Sequence, residues 1–295
     1  MEPLRLITPP AAEPVALADF KNILRIPLSD TSWDSTLIIF LTAAREQVEN
    51  YCRIALVTQT WLTRLDSFPS VPLRYDRNGY PQMLLPKPPF QSVDSISYVD
   101  TSGATQTLTR DPSYGVNLAA PFYGYQLEPG GGIMPAAITP PWARPWPPQR
   151  MVPANVTIQF RCGYGGPLTV STAVSSAVLS SPGFKFNPDD APQITGDTGT
   201  LISIPGAGPV VNSAATALVT GVASVDSNGV ATLAAAATGA VTNATAWLGY
   251  PIPFSLQMAI FMQAQFYFEQ GAVSDQMEPR VINSLRNGGY RNLVS

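Results

Sequence analysis

The sequence predicts an α+β protein: a small bundle of N- and C-terminal helices, a β-rich middle region and a nested all-β insertion. Three observations carry this. Apolar residues recur at helical spacing near both ends of the chain. Between them, from about Thr58 to Gly165, apolar and polar residues alternate with a period of two. From Thr169 to Gly249 the composition then changes, with Lys185, Asp189, Asp190, Asp197 and Asp226 as its charged residues and Ala, Thr, Ser, Val and Gly making up most of the rest.

The N-terminal part reads as a short helix over residues 16–26, closed by Pro27, and a longer one over residues 33–53. In the latter Leu37, Leu41, Ala44, Val48 and Tyr51 advance by four, three, four and three, forming one apolar stripe. Arg45, Glu46 and Glu49 fall off it, towards solvent or a neighbour. The stretch "LLPKPPFQSVDSISYVDTSG" joins a proline cluster to a strand, with Ile96 and Tyr98 alternating against Ser95 and Ser97, and a hairpin turn at Asp100–Gly103. "YGVNL" reads as a further strand. The proline-crowded segment from Pro129 to Pro153 is expected to be irregular throughout. In "NVTIQFRCGYGG" Val156, Ile158 and Phe160 share one strand face, Thr157 and Gln159 the other.

In residues 169–249 short β-rich pieces such as "TLISI", "ALVTGVASV" and "ATAWLG" alternate with turns such as "DSNG". The chain then returns to helix over residues 254–270, with Leu256, Ile260, Phe261, Ala264 and Phe268 at helical spacing. A last helix follows over residues 279–287, opened by Pro279 and stopped by Gly288-Gly289. The expected division is a core of residues 1–168 and 250–295 with residues 169–249 as an inserted β module. An independent module would tolerate replacement by a short glycine linker.

Composition narrows the function. The chain has 295 residues, is 45% hydrophobic and only 13% charged, and contains 30 prolines and 22 glycines. Average proteins carry about 25% charged residues, so this surface suits coverage by partners within a larger assembly. A net charge of −3 without a basic run argues against a nucleic-acid-binding surface. The N-terminal stretch lacks the pattern of a signal peptide, and no apolar run has the length to span a bilayer, so no membrane association is expected. Cys52 and Cys162 lack a paired spacing and read as two buried free thiols in preference to a disulfide.

The absence of histidine removes His-based acid–base catalysis, metal ligation and nucleophile activation. Asp189-Asp190 is the one suggestive carboxylate pair, but its flanking prolines favour a turn. Asp226 in "DSNG" begins like a calcium loop, yet Ala237 stands where the bidentate glutamate belongs. Gly206 and Gly208 precede no Lys-Ser/Thr pair and read as a turn. Trp142, Trp146 and Trp247 could offer a sugar-binding platform, giving a surface- or glycan-binding β module as the alternative function; among so many prolines Trp142 and Trp146 more often anchor a loop. No catalytic, metal or cofactor residue is expected. Arg280, Arg286, Tyr290 and Arg291 are the candidate partner-binding residues; phosphate contact is the competing reading of the arginines.

Five pieces in order carry a resemblance: "LITPPAAEPVALADFKNILRI", "AAREQVENYCRIALVTQTWLTRLDSFP", "LPKPPFQSVDSISYVDTSGATQTL", "WPPQRMVPANVTIQFRCGYG" and "PIPFSLQMAIFMQAQFYFEQ". Together they resemble the head–tail connector (adaptor) proteins of tailed bacteriophages, over most of residues 4–166 and 250–293. The chain departs from the pattern at Ile54, where a small residue is usual, and in the insertion before the third helix. The resemblance implies a non-enzymatic virion protein of the head–tail interface, or neck, present in the host cytoplasm during assembly. It implies a ring, typically of twelve copies, beneath the portal protein, with a downstream neck or tail protein on its other side. Double-stranded DNA would pass through that ring without specific binding, since neutralising phosphates would hold it tightly.

Overall fold

A computed structural model describes residues 4–69, 82–110, 124–128, 135–141, 145–182, 184–186, 190–191, 199–211 and 214–290. The chain builds three packed regions: a helical layer drawn from both ends, a β-rich core and an inserted sheet. The predicted strand "YGVNL" lies outside the described residues.

The chain opens with an exposed strand, β1 (Arg5–Thr8), followed by α1 (Leu17–Leu24) and α2 (Asp34–Cys52). Both helices are shorter than their apolar patterns because each stops on an arginine in the left-handed conformation, Arg25 (φ 58°) and Arg53 (φ 56°). The left-handed residue closing α2 is thus Arg53, which leaves Ile54 free to be a buried core residue. The helical layer is completed near the C-terminus by α3 (Phe254–Gln270) and α4 (Pro279–Asn287). Pro253 precedes α3 and Gly271 closes it at φ 69°. The Glu278 carboxylate caps α4, accepting from the backbone N–H groups of Arg280 and Val281.

The α2 stripe packs as its spacing predicts: Leu37, Leu41, Ala44 and Val48 are buried against Leu256, Ile260 and Ala264 of α3 in one core. Phe20 of α1 stacks on Phe261 at 6.0 Å between ring centroids, and Val281 and Leu285 seat α4 on the same core. Of the two alternatives for the charged residues off the stripe, Arg45 and Glu49 take the neighbour. Both are buried, and only Glu46 of the three charged residues is exposed.

The middle region contains β2 (Gln59–Leu65), β3 (Met83–Leu84), β4 (Phe90–Val99), β5 (Thr105–Thr107), β6 (Thr109–Arg110), β7 (Gly124–Glu128), β8 (Ala137–Thr139) and β9 (Val156–Cys162). Five strands form an antiparallel sheet in the order β1-β2-β9-β4-β5, and four form a smaller mixed sheet, β3-β8-β7-β6, in which β6 and β7 run parallel. Val156, Ile158 and Phe160 are buried between them, with Ile96, Tyr98 and Ile138. The hairpin turn holds as predicted: the Asp100 N–H donates to the Ala104 carbonyl, and the Asp100 side chain accepts from Ser102 and Gln106. The proline-crowded segment is not irregular throughout. Residues Ala136–Thr139, free of proline, keep their backbone donors, and β8 pairs with both β3 and β7.

The inserted sheet comprises β10 (Gly165–Thr172), β11 (Val178–Leu179), β12 (Leu201–Ile204), β15 (Leu218–Val225), β16 (Ala231–Leu233) and β17 (Val241–Gly249), in the order β10-β17-β12-β15-β16-β11. A separate hairpin, β13 (Val210–Val211) with β14 (Ala214–Ala215), lies between β12 and β15. Its core includes Val170, Ile202, Ile204, Val222 and Leu248. Entry and exit are adjacent because β10 and β17 pair along almost their whole length. "GYGG" makes the crossing between the sheets possible. Gly163 sits at φ 125°, and a Cβ there would stand 2.5 Å from the Val57 backbone, while one on Gly165 would stand 2.4 Å from Trp247 Nε1.

Candidate partner-binding site

The candidate residues Arg280 and Arg286 lie on α4, whose inner face is held by Val281 and Leu285 and whose outer face is solvent-exposed. The Arg280 side chain is 86% exposed, with Nε 3.5 Å from Glu278 Oε1; an exposed pair of this kind contributes little to stability. Tyr290 lies apart in character. It is half-buried, its backbone N–H donates to the Leu285 carbonyl at 2.9 Å, and its side chain packs on the same core as Tyr164 at the crossing between the two sheets. Burial first, and the neighbouring Tyr290 second, push the Tyr164 hydroxyl pKa up. Tyr290 therefore fastens the end of α4 to the sheet junction, while the arginines face outward. Arg291 lies outside the described residues.

The other sequence candidates resolve into structural roles. Asp226 accepts from the N–H groups of Val230 and Asn228, which hold its carboxyl below the usual range, as expected of a turn. Gly206 and Gly208 lie in the turn after β12, where the Ala207 N–H donates to Ile204. Trp146 stacks on Phe68 at 4.8 Å and 6°, anchoring its loop to the core. Trp247 donates from Nε1 to the Tyr250 carbonyl at 3.1 Å and packs against the helical core. Trp142 and Asp189 fall outside the described residues. Cys52 and Cys162 are buried free thiols; burial pushes the Cys52 thiol up to about 12.

Two charged clusters escaped sequence reading. Asp190 is 1% exposed and forms an ion pair with Arg161 of β9, Nη2 to Oδ2 at 3.3 Å. Arg161 also reaches Asp94 of β4, Nε to Oδ1 at 3.2 Å, and its guanidinium carbon lies 5.1 Å from the centre of the Phe184 ring. One arginine thus binds the outer face of the five-stranded sheet to the loop of the inserted sheet. The only signal for it was a cation at the end of an otherwise uncharged alternating strand.

The second cluster joins the N-terminal segment, α2 and β2. Arg45 donates from Nε to Glu13 at 2.9 Å and from Nη1 to Glu49 at 2.8 Å. Glu49 accepts in turn from the Leu56 N–H and from Gln59 Nε2, each at 2.8 Å. Burial raises the Glu49 pKa, opposed by Arg45, Leu56 and Gln59. The i,i+4 spacing of Arg45 and Glu49 was legible; that both turn inward was not.

No family model and no curated protein matches the chain. Among solved structures, it is similar over 100% of its length to a chain from the neck of an empty gene transfer agent (GTA) particle computed with C6 symmetry. That chain is covered to 97%, at 16% identity and a TM-score of 0.52. Chains from the virion of the native gene transfer agent particle (17% identity, TM-score 0.48, covering 99% and 96%) and from the neck of the native particle computed with C12 symmetry (17%, 0.45, 99% and 97%) are similar at lower scores. The chain thus shares its fold, over its full length, with a chain from the neck of a gene transfer agent particle.

Proposed function

We propose that this chain is a structural protein of a phage-like virion neck. In this reading it assembles as a ring of copies beneath the portal, joins the DNA-filled head to the tail and continues the DNA channel. The observation that carries the proposal is the end-to-end likeness to the neck chain, at 100% and 97% coverage. The C6 symmetry of that neck supports a ring; twelve copies, a portal above and a tail-side protein below follow from the connector resemblance. The low charge content agrees with a subunit whose flanks are covered by neighbours, and α4, with Arg280 and Arg286 outward, offers a contact face to one of them.

The test is assembly. Purified protein mixed with portal rings and imaged by electron microscopy is expected to decorate one end of each portal with a continuous ring. Undecorated portals at micromolar protein would overturn the reading. Replacing Arg280 and Arg286 together by glutamate should abolish decoration while leaving the monomer's melting temperature unchanged, since both side chains are exposed.

A further inference from the structure

Two separate faces of the chain expose apolar side chains. The first surrounds an open cavity of about 420 Å³ where the inserted sheet meets the start of α3; its wall includes Pro14, Leu201, Val219, Trp247, Ile252 and Gln257. Solvent reaches it, because Val219 on the wall is 65% exposed. Phe254, one turn before Gln257 on the same face of α3, is 74% exposed, and Tyr250, between the wall residues Gly249 and Pro251, is exposed as well. The second face is the corner between α1 and α2, which exposes Ile23, Leu28, Trp33, Ile38 and Ile39. Lys21 fixes that corner: its Nζ donates to the Asp30 carbonyl at 2.7 Å and pairs with the Asp34 carboxylate.

We propose that the α1–α2 corner of one copy docks into this cavity of the next copy, with Leu28 and Ile39 inserted, and that this contact, repeated head to tail, joins the subunits of the ring. The inference rests on the ring assembly proposed above and names the surfaces that make it.

The placement of the two faces carries it. A patch that pairs with itself gives a closed dimer, whereas a ring of one chain needs two different surfaces that meet, both displayed on every subunit. Here they lie at opposite ends of the helical layer. Trp33 packs edge-on against Phe268, ring centroids 5.8 Å apart, so the corner sits at the C-terminal end of α3 and the cavity at its N-terminal end. Phe254 and Phe268 are fourteen residues apart on that helix, about 21 Å at 1.5 Å per residue.

The chemistry of the faces matches. None of the described wall residues is ionisable, so an entering charge would lose its water without gaining a partner. Leu28 and Ile39 are uncharged and 57% and 59% exposed. Eight of the sixteen large apolar side chains exposed among the described residues belong to these two faces, a concentration that marks contact surfaces and not scattered exposure. A different protein seated on one face would leave the other in water; a second copy covers both.

Cysteine pairs in the full chain test this, since its own two thiols are buried. Leu28→Cys protein is mixed with Val219→Cys protein and treated with a short bismaleimide, both alone and with portal rings. The mixture is expected to give a crosslinked dimer that neither variant gives by itself, and the Leu28→Cys/Val219→Cys double variant a ladder of multimers. Leu28→Cys mixed with Met151→Cys, at an exposed position of the β-rich region, is the control. Phe254→Arg added to the Val219→Cys chain should remove the dimer at an unchanged melting temperature. The proposal is overturned if the mixture gives no more dimer than the control under both conditions, if like-with-like dimers form as readily, or if Phe254→Arg leaves the dimer undiminished. Portal decoration is scored separately by electron microscopy. Decorated portals without the crosslink refute this interface and leave the neck reading standing; crosslinking beside bare portals refutes the neck reading and supports the contact.

Discussion

Arg161 and Asp190, 29 residues apart in the chain, meet at 3.3 Å with 8% and 2% of their side chains exposed. The pair makes the inserted sheet a load on the core sheet, so its parts should not be separable without cost. Removing one partner of a buried pair strands the other. Arg161→Ala should therefore lower stability by about 3–5 kcal/mol in urea unfolding. Arg161→Met with Asp190→Leu, which removes both charges, should recover most of that loss. Equal destabilisation by the single and double variants would show that the pair itself is not the cause.

Replacing residues 169–249 by a glycine linker is expected to cost the protein its cooperative unfolding. The cut removes Asp190, which pairs with Arg161, and Trp247, which packs on the helical core. Circular dichroism melts decide it; a sharp transition near the wild-type temperature would establish an independent module.

Glu49 holds the end of α2 to β2 through Arg45, Leu56 and Gln59. Glu49→Ala should destabilise by about 3–5 kcal/mol by leaving Arg45 buried beside a lost partner. Glu49→Gln, which keeps an acceptor for the Leu56 N–H, should cost less. Chemical denaturation of the three proteins side by side measures the order.

The Asp100 carboxyl is held at about 2 by hydrogen bonds from Ser102 and Gln106 and by the Ala104 N–H. Its native pKa lies below its unfolded value, so its contribution is present above about pH 4 and is lost as pH falls towards 2. Asp100→Asn should therefore melt slightly lower than wild type at pH 6, with the gap closing at pH 2. A gap that stays constant with pH would exclude the carboxylate as its origin.

Gly163→Ala should be among the most damaging small substitutions. The residue lies at φ 125° with the Val57 backbone 2.5 Å from where a Cβ would go, and neither backbone can yield without breaking the Thr58 N–H to Gly165 hydrogen bond. Loss of soluble expression, or a melting temperature many degrees lower, is the expected readout. Gly271→Ala, strained but unobstructed, is the control and should cost only about 1 kcal/mol.

What the sequence determined by itself is local. The repeat of Leu37, Leu41, Ala44 and Val48 specifies a helix face, the alternation of Val156, Ile158 and Phe160 a strand face, and Pro279 and Gly288 the two ends of the last helix, because each depends on residues a few positions apart. Tertiary structure decided what those elements enclose. Arg45 and Glu49 read as facing solvent or a neighbour and Asp190 as a turn residue; distant partners (Glu13, Gln59, Arg161) decided that all three are buried. Burial of a charge is a property of the pair, not of either residue, and partners from separate elements leave no spacing to read.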